Sequence, residues 1–161
     1  MVNQSRIIDT LKSIPWFLDL NQRQLETLAS FSSIVEVKDG ETIFYEGDQL
    51  DHMYIILEGE VGVDMSLPTR GPQRIYVAEA LDIIGWSKLT PVVRQRTAST
   101  TAIKNTRLLR IHGDELLTFC EQDRQAGYVI FRRLANVVAS NMLITKLQLM
   151  DRILHSSSEP A

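Results

Sequence analysis

The chain changes its hydrophobic period twice. Across residues 7–30, Leu11, Ile14, Phe17 and Leu18, then Leu25 and Leu28, recur at the three-to-four-residue spacing of one helix face. The segment therefore reads as helix, with Pro15 marking a break. From Ile34 the pattern becomes a series of short β-branched or aromatic runs. Residues 34–37 and 42–45 are divided by Asp39-Gly40, and 53–57 and 61–63 are bounded by Glu46-Gly47-Asp48 and Glu58-Gly59-Glu60. Residues 66–72, with two prolines and Gly71, read as a surface loop before a strand at 74–78. Segments 97–102 and 107–111 complete the strand set. Many short strands with glycine-containing turns predict a mainly β fold with flanking helices: an antiparallel β-roll of the jelly-roll, or double-stranded β-helix, type.

After His112 the helical period returns. Gly113-Asp114 stands where a cap belongs, and 114–120 reads as a short helix. Residues 124–154 contain no proline and one glycine, Gly127, which predicts a long C-terminal helix. One apolar seam runs through Ile130, Leu134, Val137, Asn141 and Ile144, and a second through Phe131, Val138, Met142 and Leu149. One face should dock on the roll and the other on a partner helix, giving a homodimer. The expected organisation is an N-terminal helical segment at 1–30, the roll at 31–112, C-terminal helices at 113–155 and a frayed tail at 156–161.

Composition narrows the setting. No stretch reaches the roughly 20 apolar residues of a membrane span, and the N-terminus lacks a basic-then-apolar signal layout. Cys120 is the single cysteine, so an internal disulfide is excluded and a cytoplasmic, reducing setting is expected. His52, His112 and His155 show no metal-site spacing. A net charge of −3 does not suit nucleic-acid binding. The charge is uneven: 36–64 holds nine carboxylates against Lys38, whereas 66–112 holds eight Lys or Arg against Glu79 and Asp82. A small anion would prefer the second region, where Lys88, Arg94 and Arg96 lie close in sequence.

The run Asp39-Gly40-Glu41-Thr42-Ile43-Phe44-Tyr45-Glu46-Gly47-Asp48, followed by 53–61 with Gly59, resembles the first half of a cyclic-nucleotide-binding domain. That family includes the catabolite activator protein and the regulatory subunits of cyclic-AMP-dependent kinase. The three glycines carry the resemblance as turn formers rather than as ligand contacts. The resemblance implies a phosphate-binding cassette over about 84–98, matched by Ile84-Gly85-Trp86-Ser87-Lys88-Leu89 and Gln95-Arg96-Thr97-Ala98. A helix N-terminus offers free N–H groups to phosphate, an arginine adds charge-assisted hydrogen bonds, and a hydroxyl adds one more. Gly85, Ser87, Arg96 and Thr97 could supply these. The alternative for Arg96 is a structural ion pair or an exposed position.

Trp86 departs from the family pattern. It stands where the resemblance places a glutamate that accepts a hydrogen bond from the ribose 2′-hydroxyl, ten residues before Arg96. Indole donates one hydrogen bond and accepts none. Losing such a contact costs about 1–3 kcal/mol before any steric penalty. Ala80-Leu81-Asp82 also stands where family members often carry glycine. Asn141 aligns with the helix residue that faces the nucleotide base, but it also fits a register-fixing position in a helix pair.

These residues imply a regulatory sensor domain that binds a small anion and signals through its C-terminal helix. The site set is Gly85, Trp86, Ser87, Arg96, Thr97 and Asn141. No cofactor is fixed by them; a cyclic nucleotide or another small phosphorylated or anionic molecule is the admissible ligand class. The rival is a degenerate pocket on a fold that serves only as a dimerisation or protein-interaction scaffold. No nucleophile–base pair or phosphate loop marks an enzyme. If the chain is complete at Ala161, it lacks a recognition helix and direct DNA reading is not expected.

Overall fold

The structure is a computed structural model that describes residues 2–49 and 51–156. The N-terminal helical segment is three pieces: helix α1 (Val2–Ser13), a 3-10 turn (Pro15–Phe17) and helix α2 (Gln22–Ser30). Pro15 opens the turn, where its missing N–H costs nothing. Asn21 and Gln24 then restart the chain as helix through a reciprocal capping box. The Asn21 side-chain oxygen accepts from Gln24 N at 3.0 Å, and Asn21 N donates to Gln24 Oε1 at 2.9 Å.

Eight strands follow: β1 (Ser32–Val37), β2 (Thr42–Phe44), β3 (His52–Glu58), β4 (Val61–Leu67), β5 (Gly71–Ala78), β6 (Ile83–Ile84), β7 (Ser99–Ala102) and β8 (Thr106–His112). They form two four-stranded antiparallel sheets, ordered β1-β8-β3-β6 and β2-β7-β4-β5. Helices α3 (Gly113–Gln122) and α4 (Arg124–Ser156) close the chain. The expected roll with flanking helices is the fold observed. The residue preceding α3 is His112, which makes no side-chain cap bond, so Gly113-Asp114 lies inside the helix rather than capping it. Beyond Ser156, the expected tail lies outside the described residues.

Strands β3 and β8 are apolar on both faces because both faces are covered. Ile56 and Leu108 point into a core between the sheets with Val61, Val63, Ala78 and Ile84. Their neighbours Met53, Ile55, Leu109 and Ile111 point the other way, into a larger core with Leu11, Phe17, Leu28, Leu116 and Ile130 from the helices. This second core seats the first part of α4. Gln24 reinforces the seat: its Nε2 donates to Asp123 Oδ2 at 2.9 Å, while Asp123 Oδ1 accepts from Ala126 N at 3.0 Å. Those hydrogen bonds hold the Asp123 carboxyl below the usual carboxylate range, the Ala126 N–H contributing most.

The loop expected over 66–72 is a tight hairpin instead. Strand β4 runs on to Leu67 and β5 starts at Gly71, with Ser66 paired to Pro72. Proline is tolerated there because β5 is an edge strand.

Leu81 is the one non-glycine with a left-handed backbone among the described residues, at φ 73°. It sits in the turn before β6, donating its N–H to Ile56 O at 2.7 Å, with its side chain half exposed. The turn that the family often builds with glycine is therefore built here under strain. Leu81→Gly is expected to raise stability by about 1 kcal/mol, because left-handed strain exceeds the extra chain entropy of glycine. A urea-midpoint increase would register it, and a decrease would show that the Leu81 side chain contributes more than its backbone costs.

Candidate functional site

Gly85 links β6 to a 3-10 turn, Trp86–Leu89, and its backbone is left-handed at φ 72°. The carbonyl of Gly85 accepts from Arg96 Nη1 at 3.1 Å, and the carbonyl of His52 accepts from Arg96 Nη2 at 2.7 Å. Arg96 lies just before β7 and is only 4% exposed. Its guanidinium carbon rests 4.2 Å from the centroid of the Phe44 ring, a cation–π contact from β2. No carboxylate lies within ion-pair distance of Arg96 among the described residues. Burial pulls its pKa below the ordinary arginine value, and Tyr54, Asp51 and Asp48 oppose that shift. The buried Nε–H of Arg96 has no hydrogen-bond partner.

Arg96 lines a cavity of about 730 Å³ between the β2-β7-β4-β5 sheet, the 84–98 segment and α4. All six residues singled out in the sequence, Gly85, Trp86, Ser87, Arg96, Thr97 and Asn141, also line it. Trp86 is half-buried, packs against the larger core and also lines the cavity. Ser87 is buried, and its carbonyl accepts from Thr90 N and Oγ1, which closes the 3-10 turn. Thr97 is exposed at the rim.

One expectation needs correction. The basic stretch does not act as one cluster: Lys88 Nζ is 2.7 Å from Asp114 Oδ1 on α3, and Arg94 is exposed outside the cavity lining. Only Arg96 of the three faces the cavity. Val137, Asn141 and Ile144 of the first seam also line the cavity, and Ile144 stays 51% exposed in the single chain. Arg133, Asn136, Val137, Ser140, Asn141, Ile144 and Gln148 recur at helical spacing along the same cavity-lining side of α4. The second seam does stand open: Phe131, Val138, Met142 and Leu149 are 38–58% exposed.

Sequence reasoning missed Thr100 and Phe44. Thr100 is 2% exposed, lines the cavity, and its Oγ1 has no partner. A threonine on the inward side of an alternating strand was the available signal. Phe44 pairs with Thr100 across β2 and β7, which no local pattern disclosed.

A two-sheet roll with a cassette-lined cavity under a long helix defines a sensor-type ligand-binding domain in architecture. The chain belongs to the cyclic nucleotide-binding domain family, whose model matches residues 34–123. Among solved structures it is similar to a candidate cyclic nucleotide-binding protein from Geobacter metallireducens GS-15. That match has 25% identity and a TM-score of 0.73, covering 83% of this chain and 96% of that one. It is also similar to a cyclic nucleotide-binding domain from Methylobacillus flagellatus KT, at 24% identity and a TM-score of 0.74, covering 98% of this chain and 85% of that one. A third likeness is to the regulatory subunit of a cAMP-independent protein kinase A from Trypanosoma brucei. There the identity is 19% and the TM-score 0.72, covering 91% of this chain and 52% of that one. No curated protein sequence matches the chain. The family is regulatory and ligand-binding in character rather than catalytic. No helix among the described residues is long and apolar enough to cross a membrane.

Proposed function

We propose that the protein is a regulatory sensor domain that binds a small anion at Arg96 and transmits its occupancy through α4 to a second copy of the chain or to a partner protein. The observation that carries this reading is an Arg96 only 4% exposed, with no carboxylate in ion-pair distance among the described residues and an unpartnered Nε–H, on the wall of a large cavity. A buried cation without a carboxylate is unfavourable, and an anion in the cavity relieves that deficit. Thr100 and Thr97 add hydroxyls to the same wall, and the family's ligand, a cyclic nucleotide, has the matching single negative charge.

Two features weigh against ordinary cyclic AMP binding. Trp86 supplies no acceptor for a sugar hydroxyl. The neighbouring carboxylate on the wall, Asp82, is turned to the backbone, its Oδ2 accepting from Glu79 N at 2.8 Å. Cyclic AMP is therefore expected to bind weakly, and Trp86→Glu to strengthen it by about tenfold, or 1.4 kcal/mol. Calorimetry on both forms checks this; tight binding by the natural chain would refute the reading of Trp86. Arg96→Gln should weaken whatever anion the natural chain binds by at least about tenfold.

The scaffold reading draws on one observation: two guanidinium nitrogens of Arg96 are already satisfied by the Gly85 and His52 carbonyls. It predicts no saturable binding that depends on Arg96.

A further inference from the structure

Arg96 is the one cationic group on the cavity wall without an ion-pair partner among the described residues. The other arginine there, Arg133, has its Nη2 3.1 Å from Asp19 Oδ2 and lies toward solvent. Asp82 adds a negative charge to the wall, engaged with the Glu79 N–H but not neutralised by a cation. One compensating charge therefore suits this cavity. A phosphate monoester or a dicarboxylate would bring a second charge into a wall with no free cation to meet it.

The rest of the wall determines what the charge is attached to. Trp16, Phe44 and Trp86 present aromatic surface, and Val63, Ile83 and Ile84 present aliphatic surface. Opposite them, α4 offers neutral amides and hydroxyls at Asn136, Ser140, Asn141 and Gln148, interrupted by Val137 and Ile144. At the place where the family resemblance puts a carboxylate acceptor for a sugar hydroxyl, this wall supplies a tryptophan, which accepts no hydrogen bond. Apolar matter is favoured over hydroxyls against the Trp16, Phe44 and Trp86 side of the wall. The volume of about 730 Å³ accommodates a ligand of drug-like size.

We infer that the cavity accepts a monoanion with an apolar body, of the class of arylalkyl and medium-chain monocarboxylates, its carboxylate on Arg96 and its body along Trp86 and the sheet wall. This rests on the reading of Arg96 as the anion contact and adds the charge and character of the ligand to it. The Nε–H of Arg96 and the hydroxyl of Thr100, both without partners, are the two buried donors that a carboxylate would satisfy.

The test is calorimetric titration of the full 161-residue chain with indole-3-acetate, its neutral analogue indole-3-acetamide, hexanoate, decanoate, phenyl phosphate and cyclic AMP. Indole-3-acetate is expected to bind saturably, with the amide at least about tenfold weaker, since it lacks the charge. Affinity should rise by about fourfold for each methylene from hexanoate to decanoate if the chain is buried. Arg96→Gln should weaken both carboxylates by at least about tenfold while retaining the natural circular-dichroism spectrum. Should Arg96→Gln fail to fold, Trp86→Glu is the second variant: a carboxylate on that wall should weaken indole-3-acetate and strengthen cyclic AMP. Tighter Arg96-dependent binding of cyclic AMP or phenyl phosphate would overturn the ligand class and leave the anion site standing. Carboxylate binding unchanged by either substitution would overturn the inference and, with no other Arg96-dependent ligand, the site reading as well.

Discussion

Gly85→Ala is expected to lower the unfolding free energy by about 2–4 kcal/mol, combining left-handed backbone strain with overpacking of a filled site. At φ 72° a Cβ there would lie 2.5 Å from Arg96 Nη1 and 3.0 Å from the His52 carbonyl oxygen. The end of an arginine ordinarily swings aside at little cost. This one is held between two carbonyls and the Phe44 ring in the buried interior, so moving it breaks charge-assisted hydrogen bonds. Gly47→Ala provides the control: Gly47 has φ 88°, yet nothing lies within 4 Å of its would-be Cβ. That variant bears the backbone strain alone, about 1–2 kcal/mol. The difference between the two urea midpoints therefore isolates the hold on Arg96. Anion binding should fall with Gly85→Ala and persist with Gly47→Ala. Equal costs would mean that Arg96 yields freely and is not a fixed part of the site.

The comparison of these two glycines also shows how far the residues alone could be read. Gly47 stands in a turn marked by local composition and Gly85 in the segment matched by family resemblance, and both have a positive φ. Nothing local shows that their costs differ, because what separates them is Arg96, eleven positions on from Gly85, and His52 from another strand. Strands β3 and β8 were legible as strands, since their β-branched runs are bounded by turns. The 66–72 segment was not legible as a hairpin: two prolines and a glycine describe a loop equally well, and only the edge position of β5 makes Pro72 compatible with pairing. The cavity-lining residues near the cassette were accessible through family resemblance. Thr100 and Phe44 were not, because their relation to Arg96 depends on the β2–β7 register. The same limit applies to α4. Periodicity gave two apolar seams, but the orientation that aims Val137 and Ile144 at the cavity is set by docking on the larger core through Ile130 and Leu134.

That orientation changes which substitutions should separate a dimer. Val138→Lys with Met142→Lys is expected to give a folded monomer, with self-association weakened by at least about a hundredfold, because two charges would enter the apolar centre of a helix pair. Phe131, Val138, Met142 and Leu149 recur along one side of α4 at coiled-coil spacing and are 38–58% exposed in the single chain. An apolar stripe of that kind suits a twofold partner, in which each residue meets its own symmetry mate. Val137→Lys with Ile144→Lys should have a different result. Those side chains line the cavity, so the variant should stay associated while its anion binding changes. Sedimentation velocity on the two double variants decides between the faces. A monomer from the Val137/Ile144 pair and an unchanged profile from the Val138/Met142 pair would reverse the assignment. If the faces are as described, one helix carries the ligand wall on one side and the partner surface on another. Any displacement of α4 by an occupied cavity then reaches the dimer directly. Linkage makes this reciprocal: a ligand that tightens the dimer must itself bind more tightly to the dimer than to the Val138/Met142 monomer, by the same factor. Equal anion affinity in the two forms would mean that the cavity and the interface are uncoupled.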